Sequence, residues 1–127
     1  MKLKHLFTVH SVVGLCYGGG MVLAPVPFLS PYDISLADPD AIFIARLLGA
    51  ALLTYCLVAW FVRNAEDSAA RRAIVLGFFI TLMIGFIVSL LAQLSGAMNA
   101  LGWLVVGLYL LLGLGYGYFQ FVKPDTA

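Results

Sequence analysis

Four long apolar runs, separated by three short polar breaks, fill nearly all of this 127-residue chain. They cover residues 6–24, 41–62, 73–94 and 100–122, and none contains an Asp or a Glu. A helix needs about 20 apolar residues to cross the hydrocarbon core of a bilayer. Inside lipid every backbone N–H and C=O must be satisfied within its own segment, so runs of this kind are helices rather than strands. The expected fold is therefore all-α: an integral membrane four-helix up-down bundle, forming one transmembrane domain over residues 1–127.

Composition agrees. Hydrophobic residues make up 63% and charged residues 10%, against about half and a quarter in soluble domains. A soluble domain of this size has no means of hiding so much apolar surface, and the bilayer is the partner the composition demands. A net charge of +1 speaks for neither a nucleic acid nor an acidic partner.

The positions of the charges say more than their sum. Basic residues gather at Lys2 and Lys4, at Arg63, Arg71 and Arg72, and at Lys123. The connection over 25–40 carries only Asp33, Asp38 and Asp40, and the one over 95–99 is uncharged. Lys and Arg in short loops stay on the cytoplasmic side. Both termini and the middle connection are thus expected inside, and the first and third connections outside.

The N-terminus resembles a secretory signal in its Met-Lys-Leu-Lys start, but no small-x-small cleavage site follows, and the run ends in Ala24-Pro25-Val26-Pro27. A retained first span is expected. Cys16 and Cys56 fall inside spans without a Cys-x-x-Cys, which fits small apolar packers better than a disulfide.

Within the connections, Asp38-Pro39-Asp40 suits a helix start: a capping residue, a proline at the first helical position and an acid at the positive end. Glu66 and Asp67 stand near the start of the third helix, where its dipole favours them. The turn over 95–99 makes helices three and four antiparallel neighbours. The connection over 25–40, with four prolines, is expected over the outer mouth of the bundle.

Small residues mark where helices meet. Gly14 and Gly18, Gly49, Gly85, and Gly113 and Gly117 provide the small-xxx-small faces that let helices approach in lipid. They serve packing within the chain or self-association. Trp60, Tyr116, Tyr118, Phe119 and Phe121 lie toward the cytoplasmic ends and read as an interfacial aromatic belt.

Arg46 is the one charge inside a span, about 7 Å below the outer end of its helix. Such residues usually face the bundle interior or a wet cavity and find a partner. It either pairs with Asp33, Asp38 or Asp40, or serves as a ligand for an anion or head group. Thr81, Gly85, Ser89 and Gln93 recur every four residues along helix three as a small, polar stripe. With Gln93 near the outer end, Asn99 opening helix four and Tyr32 on the loop above, the candidate ligand-binding set is Arg46, Gln93, Asn99, Tyr32 and Asp33. The stripe also suits plain interhelical glue.

Catalytic and metal centres are not expected. His10 sits about one turn inside helix one, where a histidine is ordinarily hydrogen-bonded. His5 and His10 are five apart, which turns them away from each other on a helix, and no cofactor is implied. The acids lie outside and His10 inside, so no Ser-His-Asp or Cys-His set assembles. Spans without a carboxylate argue against ion-coupled transport.

Residues 46–53, Arg-Leu-Leu-Gly-Ala-Ala-Leu-Leu, open the second span after an acidic loop. This Arg-x-x-Gly start resembles small four-helix bacterial proteins of the DoxX-like superfamily, with Arg46 and Gly49 as the matching positions. The resemblance implies a bacterial inner-membrane protein, in some cases associated with oxidoreductases that pass electrons to quinone. The chain lacks the cysteines and extra loops of a redox part. The functional expectation is a non-enzymatic accessory subunit or binder of a lipid-like or quinone-like molecule in an outward-facing pocket. A homo-oligomeric channel or exporter, or a subunit of a membrane oxidoreductase, are the alternatives.

Overall fold

The computed structural model describes residues 1–123, so the last four positions of the expected domain, 124–127, lie outside the described residues. Among the described residues every regular element is a helix. Helix α1 runs over Leu3–Leu23, the short α2 over Pro25–Leu29 and a 3₁₀ turn over Ser30–Tyr32. Then follow α3 over Pro39–Val62, α4 over Ala69–Leu94 and α5 over Gly102–Gly117, which a π turn extends over Tyr118–Val122. Four of these are long and apolar enough to cross a membrane: Leu3–Leu23, Pro39–Val62, Ala69–Leu94 and Gly102–Val122.

The ends of the helices have local causes. Ala24 precedes a proline, and steric conflict with the proline ring drives such a residue out of the α region; its φ of −147° breaks α1 from α2. Pro39 occupies the first turn of α3, with Asp40 beside it and Asp38 as the extended N-cap, although the Asp38 side chain makes no capping bond. Helix α4 begins four residues before its apolar run because Ser68 caps it, its Oγ accepting from the Arg71 N–H at 3.1 Å. Asp67 and Arg72 pair across that same turn at 2.9 Å. The turn between α4 and α5 reverses at Gly96, whose φ of +82° suits only glycine without strain.

The long helices form two antiparallel pairs. On α1, Gly14 faces Leu52 and Cys56 of α3, while Gly18 faces Gly49 and Leu53, so numbers rise on one helix as they fall on the other. Gly85 of α4 lies under the Tyr109 ring of α5, Gly113 under Met83 and Gly117 under Phe79, in the same reversed order. All six glycines singled out from the sequence thus sit against a neighbouring helix of the same chain. Ser11 adds a polar tie, its hydroxyl reaching the Phe7 and Cys56 carbonyls at 2.8 and 3.1 Å.

Among the described residues the two pairs share a core at one end only. There Leu6 and Phe7 of α1, Ala59 of α3, Phe78 and Leu82 of α4, and Leu112, Tyr116 and Phe119 pack into one cluster. This basal end carries the start of α1, the α3–α4 connection and the end of α5. Its aromatic rings meet edge to face, with centroids 5.3 Å apart for Phe78–Tyr116 and 6.3 Å for Phe7–Phe78, the geometry that ring quadrupoles favour.

The aromatic belt is accordingly smaller than expected. Tyr116 is 0% exposed and Phe119 is buried beside it, whereas Trp60, Tyr118 and Phe121 do face outward. Distance from a helix end sets the depth of an aromatic residue but not the face it occupies, and helix α5 turns Tyr116 inward. Arg71 is likewise more than a loop charge: it is 2% exposed, with its guanidinium 5.9 Å from the Phe7 ring centroid.

Candidate functional site: a cleft between two helix pairs

Above the shared core the two pairs separate and leave a cleft of about 160 Å³. Its α1 wall is His10, Val13, Gly14, Tyr17 and Met21, and its α5 wall is Val105, Leu108, Tyr109 and Leu112. Each set follows i, i+3, i+4, i+7, the spacing that keeps side chains on one face of a helix. Leu48 and Leu52 of α3, one turn apart, and Leu82 of α4 complete the sides, while Leu29, Tyr32 and Met98 cover the far end. From His10 to Met21 the cleft runs about 16 Å along α1.

The segment over 25–32 folds across that far end as a strap, as expected of the proline-rich connection. The Phe28 ring lies over Gly20, where a Cβ would collide with it, and meets the Tyr17 ring edge to face at 5.5 Å. Tyr17 and Tyr32 share a hydrogen bond of 2.7 Å between their hydroxyls. The α4–α5 turn holds the strap from the other side. Asn99 donates from its Nδ2 to the Pro31 carbonyl at 2.7 Å and from its backbone N–H to the Tyr32 carbonyl at 3.2 Å. Its Oδ1 accepts from the Leu101 N–H at 3.0 Å. Gln93 donates to the Asn99 carbonyl at 2.9 Å.

Gln93, Asn99 and Tyr32 are therefore brought together, as a tie between the two helix pairs. Of the three only Tyr32 lines the cleft. Asp33 is exposed and takes a left-handed turn at φ 60°. Arg46 stands apart from the others: it is exposed and outside the cleft lining. Helix α3 packs through Ala45, Gly49, Cys56 and Ala59, and one step from Ala45 turns Arg46 by about 100°. The expected convergence of Arg46 with Gln93 and Asn99 is not formed.

The polar stripe on α4 also resolves differently. Gly85 is covered by Tyr109, and Ser89 returns its hydroxyl to the Phe86 carbonyl at 3.1 Å. Neither these nor Thr81 and Gln93 face the cleft, to which α4 contributes only Leu82.

The polar group at the base of the cleft is His10, which is 5% exposed. Its Nδ1 lies 2.9 Å from the Tyr116 hydroxyl, and its ring stands edge-on to Phe78 with centroids 4.8 Å apart. This fits the hydrogen-bonded histidine expected from the sequence. What sequence reading missed is that His10, Tyr17 and Met21 share a face with Val13 and Gly14. The spacing was available, but the wall opposite them on α5 was not.

Among the described residues, no three His, Cys, Asp or Glu side chains gather where they could hold a metal ion. The cleft has apolar walls, a polar base and a hydrogen-bonded roof. The chain matches no described protein family, no curated protein and no solved structure.

Proposed function

We propose that this protein is a non-enzymatic integral membrane protein that holds a lipid-like or quinone-like molecule in the cleft between its helix pairs. The observation that carries this reading is the cleft itself: about 160 Å³, walled almost entirely by apolar side chains, closed at one end by the aromatic core and covered at the other by the strap. Ligand sites are typically apolar concavities with a few convergent polar groups, and lipid-soluble molecules reach such a site from the bilayer.

In the same reading the four long helices are an up-down bundle with both termini cytoplasmic. The basal end bears Lys2, Lys4, Arg63 and Arg72, and the strap end bears Asp33, Asp38 and Asp40, which is the asymmetry that positive charge imposes on topology. The membrane is a bacterial inner membrane, in line with the resemblance at residues 46–53. In this reading the lipid bilayer covers the exposed apolar helix faces, and a second membrane protein or a second copy is the further partner they can accept.

Native mass spectrometry of the gently solubilised protein tests this directly. A monomer or dimer carrying a persistent lipid or quinone mass is the expected result. A larger ring with no bound mass would replace the reading with a channel or exporter. Recovery only with other polypeptides would make the chain an accessory subunit, such as one of a membrane oxidoreductase.

A further inference from the structure

We infer that the ligand's head group docks on His10 at the base of the cleft, and that it is a neutral ring bearing a carbonyl or hydroxyl, of the quinone or quinol type. This rests on reading the cleft as a ligand site, and goes further by assigning the binding residue and the chemistry it recognises.

His10 has two ring nitrogens and one bond. Nδ1 is taken by the Tyr116 hydroxyl at 2.9 Å. Nε2 has no protein partner among the described residues, yet it is not among the polar atoms sealed from solvent. The ring packs against Phe78 and Tyr116 and His10 lines the cleft, so the cleft is where Nε2 meets a partner. A hydrogen bond to it contributes about 0.5–1.5 kcal/mol net. A water is a poor substitute, since it needs two to four polar partners, and besides His10 the polar side chains of the lining are Tyr17 and Tyr32, which bond each other, and Tyr109.

The head group is neutral because, among the described residues, the lining contains no Lys, Arg, Asp or Glu, and an unpaired charge is not taken into an apolar site. Its size follows from the volume: a cavity of about 150 Å³ holds a benzene-sized ring. Its hydrogen-bonding character follows from the Tyr116 contact. When the Tyr116 O–H donates to Nδ1, the proton of the neutral imidazole sits on Nε2, which donates to a carbonyl. When Nδ1–H donates to the Tyr116 oxygen, Nε2 accepts from a hydroxyl. One pair of side chains thus suits both the carbonyl and the hydroxyl form of the same ring.

Binding of decylubiquinone, of its reduced quinol and of decylbenzene to the purified protein in detergent tests the assignment. The expected result is that both oxygenated probes bind more tightly than decylbenzene, and that His10→Phe lowers their affinity about fivefold or more relative to that of decylbenzene. Because His10→Phe disturbs a packed core, ¹⁵N-histidine spectra of the unmutated protein supply the independent readout. Decylubiquinone is expected to place the His10 proton on Nε2, and the quinol to place it on Nδ1. Equal binding of all three probes with unmoved His10 resonances overturns the head-group assignment and leaves the cleft reading standing. Failure of every probe to bind removes both.

Discussion

Gly18 of α1 and Gly49 of α3 cross so closely that a Cβ added to either would lie 2.9 Å from the other's carbonyl oxygen. Backbone meets backbone here, and no side chain can swing aside to make room. Leucine at either position is expected to destabilise the folded protein by about 1–3 kcal/mol, the usual cost of overpacking. Gly19, one residue along, has nothing within 4 Å of its added Cβ. Gly19→Ala is therefore expected to be neutral or mildly stabilising, since alanine is the better helix former. Thermal unfolding in one fixed detergent distinguishes the two positions.

Tyr17 and Tyr32 join the strap to α1 through their hydroxyls at 2.7 Å. Removing either hydroxyl as Tyr17→Phe or Tyr32→Phe is expected to cost about 1 kcal/mol. The double variant should cost little more than one single, because both changes delete the same bond. Faster amide exchange confined to residues 25–32 is the accompanying local signature.

Asn99 makes side-chain bonds to the Pro31 carbonyl and the Leu101 N–H. Asn99→Ala loses both, while the Gln93 bond goes to the backbone carbonyl and survives. A loss of about 1–2 kcal/mol is expected, together with a higher rate of proteolysis in the strap. If cleavage there is unchanged, the Asn99 side chain does not hold the strap.

Arg46 is exposed and outside the cleft lining. Arg46→Ala is expected to leave retention of a bound hydrophobic ligand within about twofold of the unmutated protein, well under the roughly tenfold that 1.4 kcal/mol represents. A tenfold loss in the same retention assay would return Arg46 to the binding site.

How much of this was legible in the sequence depends on whether a feature reports depth or direction. Length and hydropathy locate the four helices to within a few residues, because lipid contact requires unbroken apolar runs. The largest discrepancy, the start of α4 at Ala69 rather than residue 73, arises because a helix capped by Ser68 continues past the hydrocarbon into charged territory. The sequence positions Arg46 and Tyr116 along their helices but not around them. A membrane helix that is apolar on every side offers no amphipathic pattern from which to read its inward face. Gly14, Gly18 and Gly49 escape that problem, since small residues mark a packed face directly. The cleft was the least legible feature, because it depends on where two helix pairs part and no single segment encodes that.

The two places where the helix pairs join differ in kind. At the basal end the joint is an interlocked set of aromatic and aliphatic side chains, which loosens only if many contacts break together. At the strap end it is a latch of a few hydrogen bonds around Asn99, each breakable singly. Thermal opening of the molecule is consequently polarised: the latched end yields while the basal end stays shut. His10 stands beside the end that stays shut, so opening of the latch leaves the base of the cleft in place.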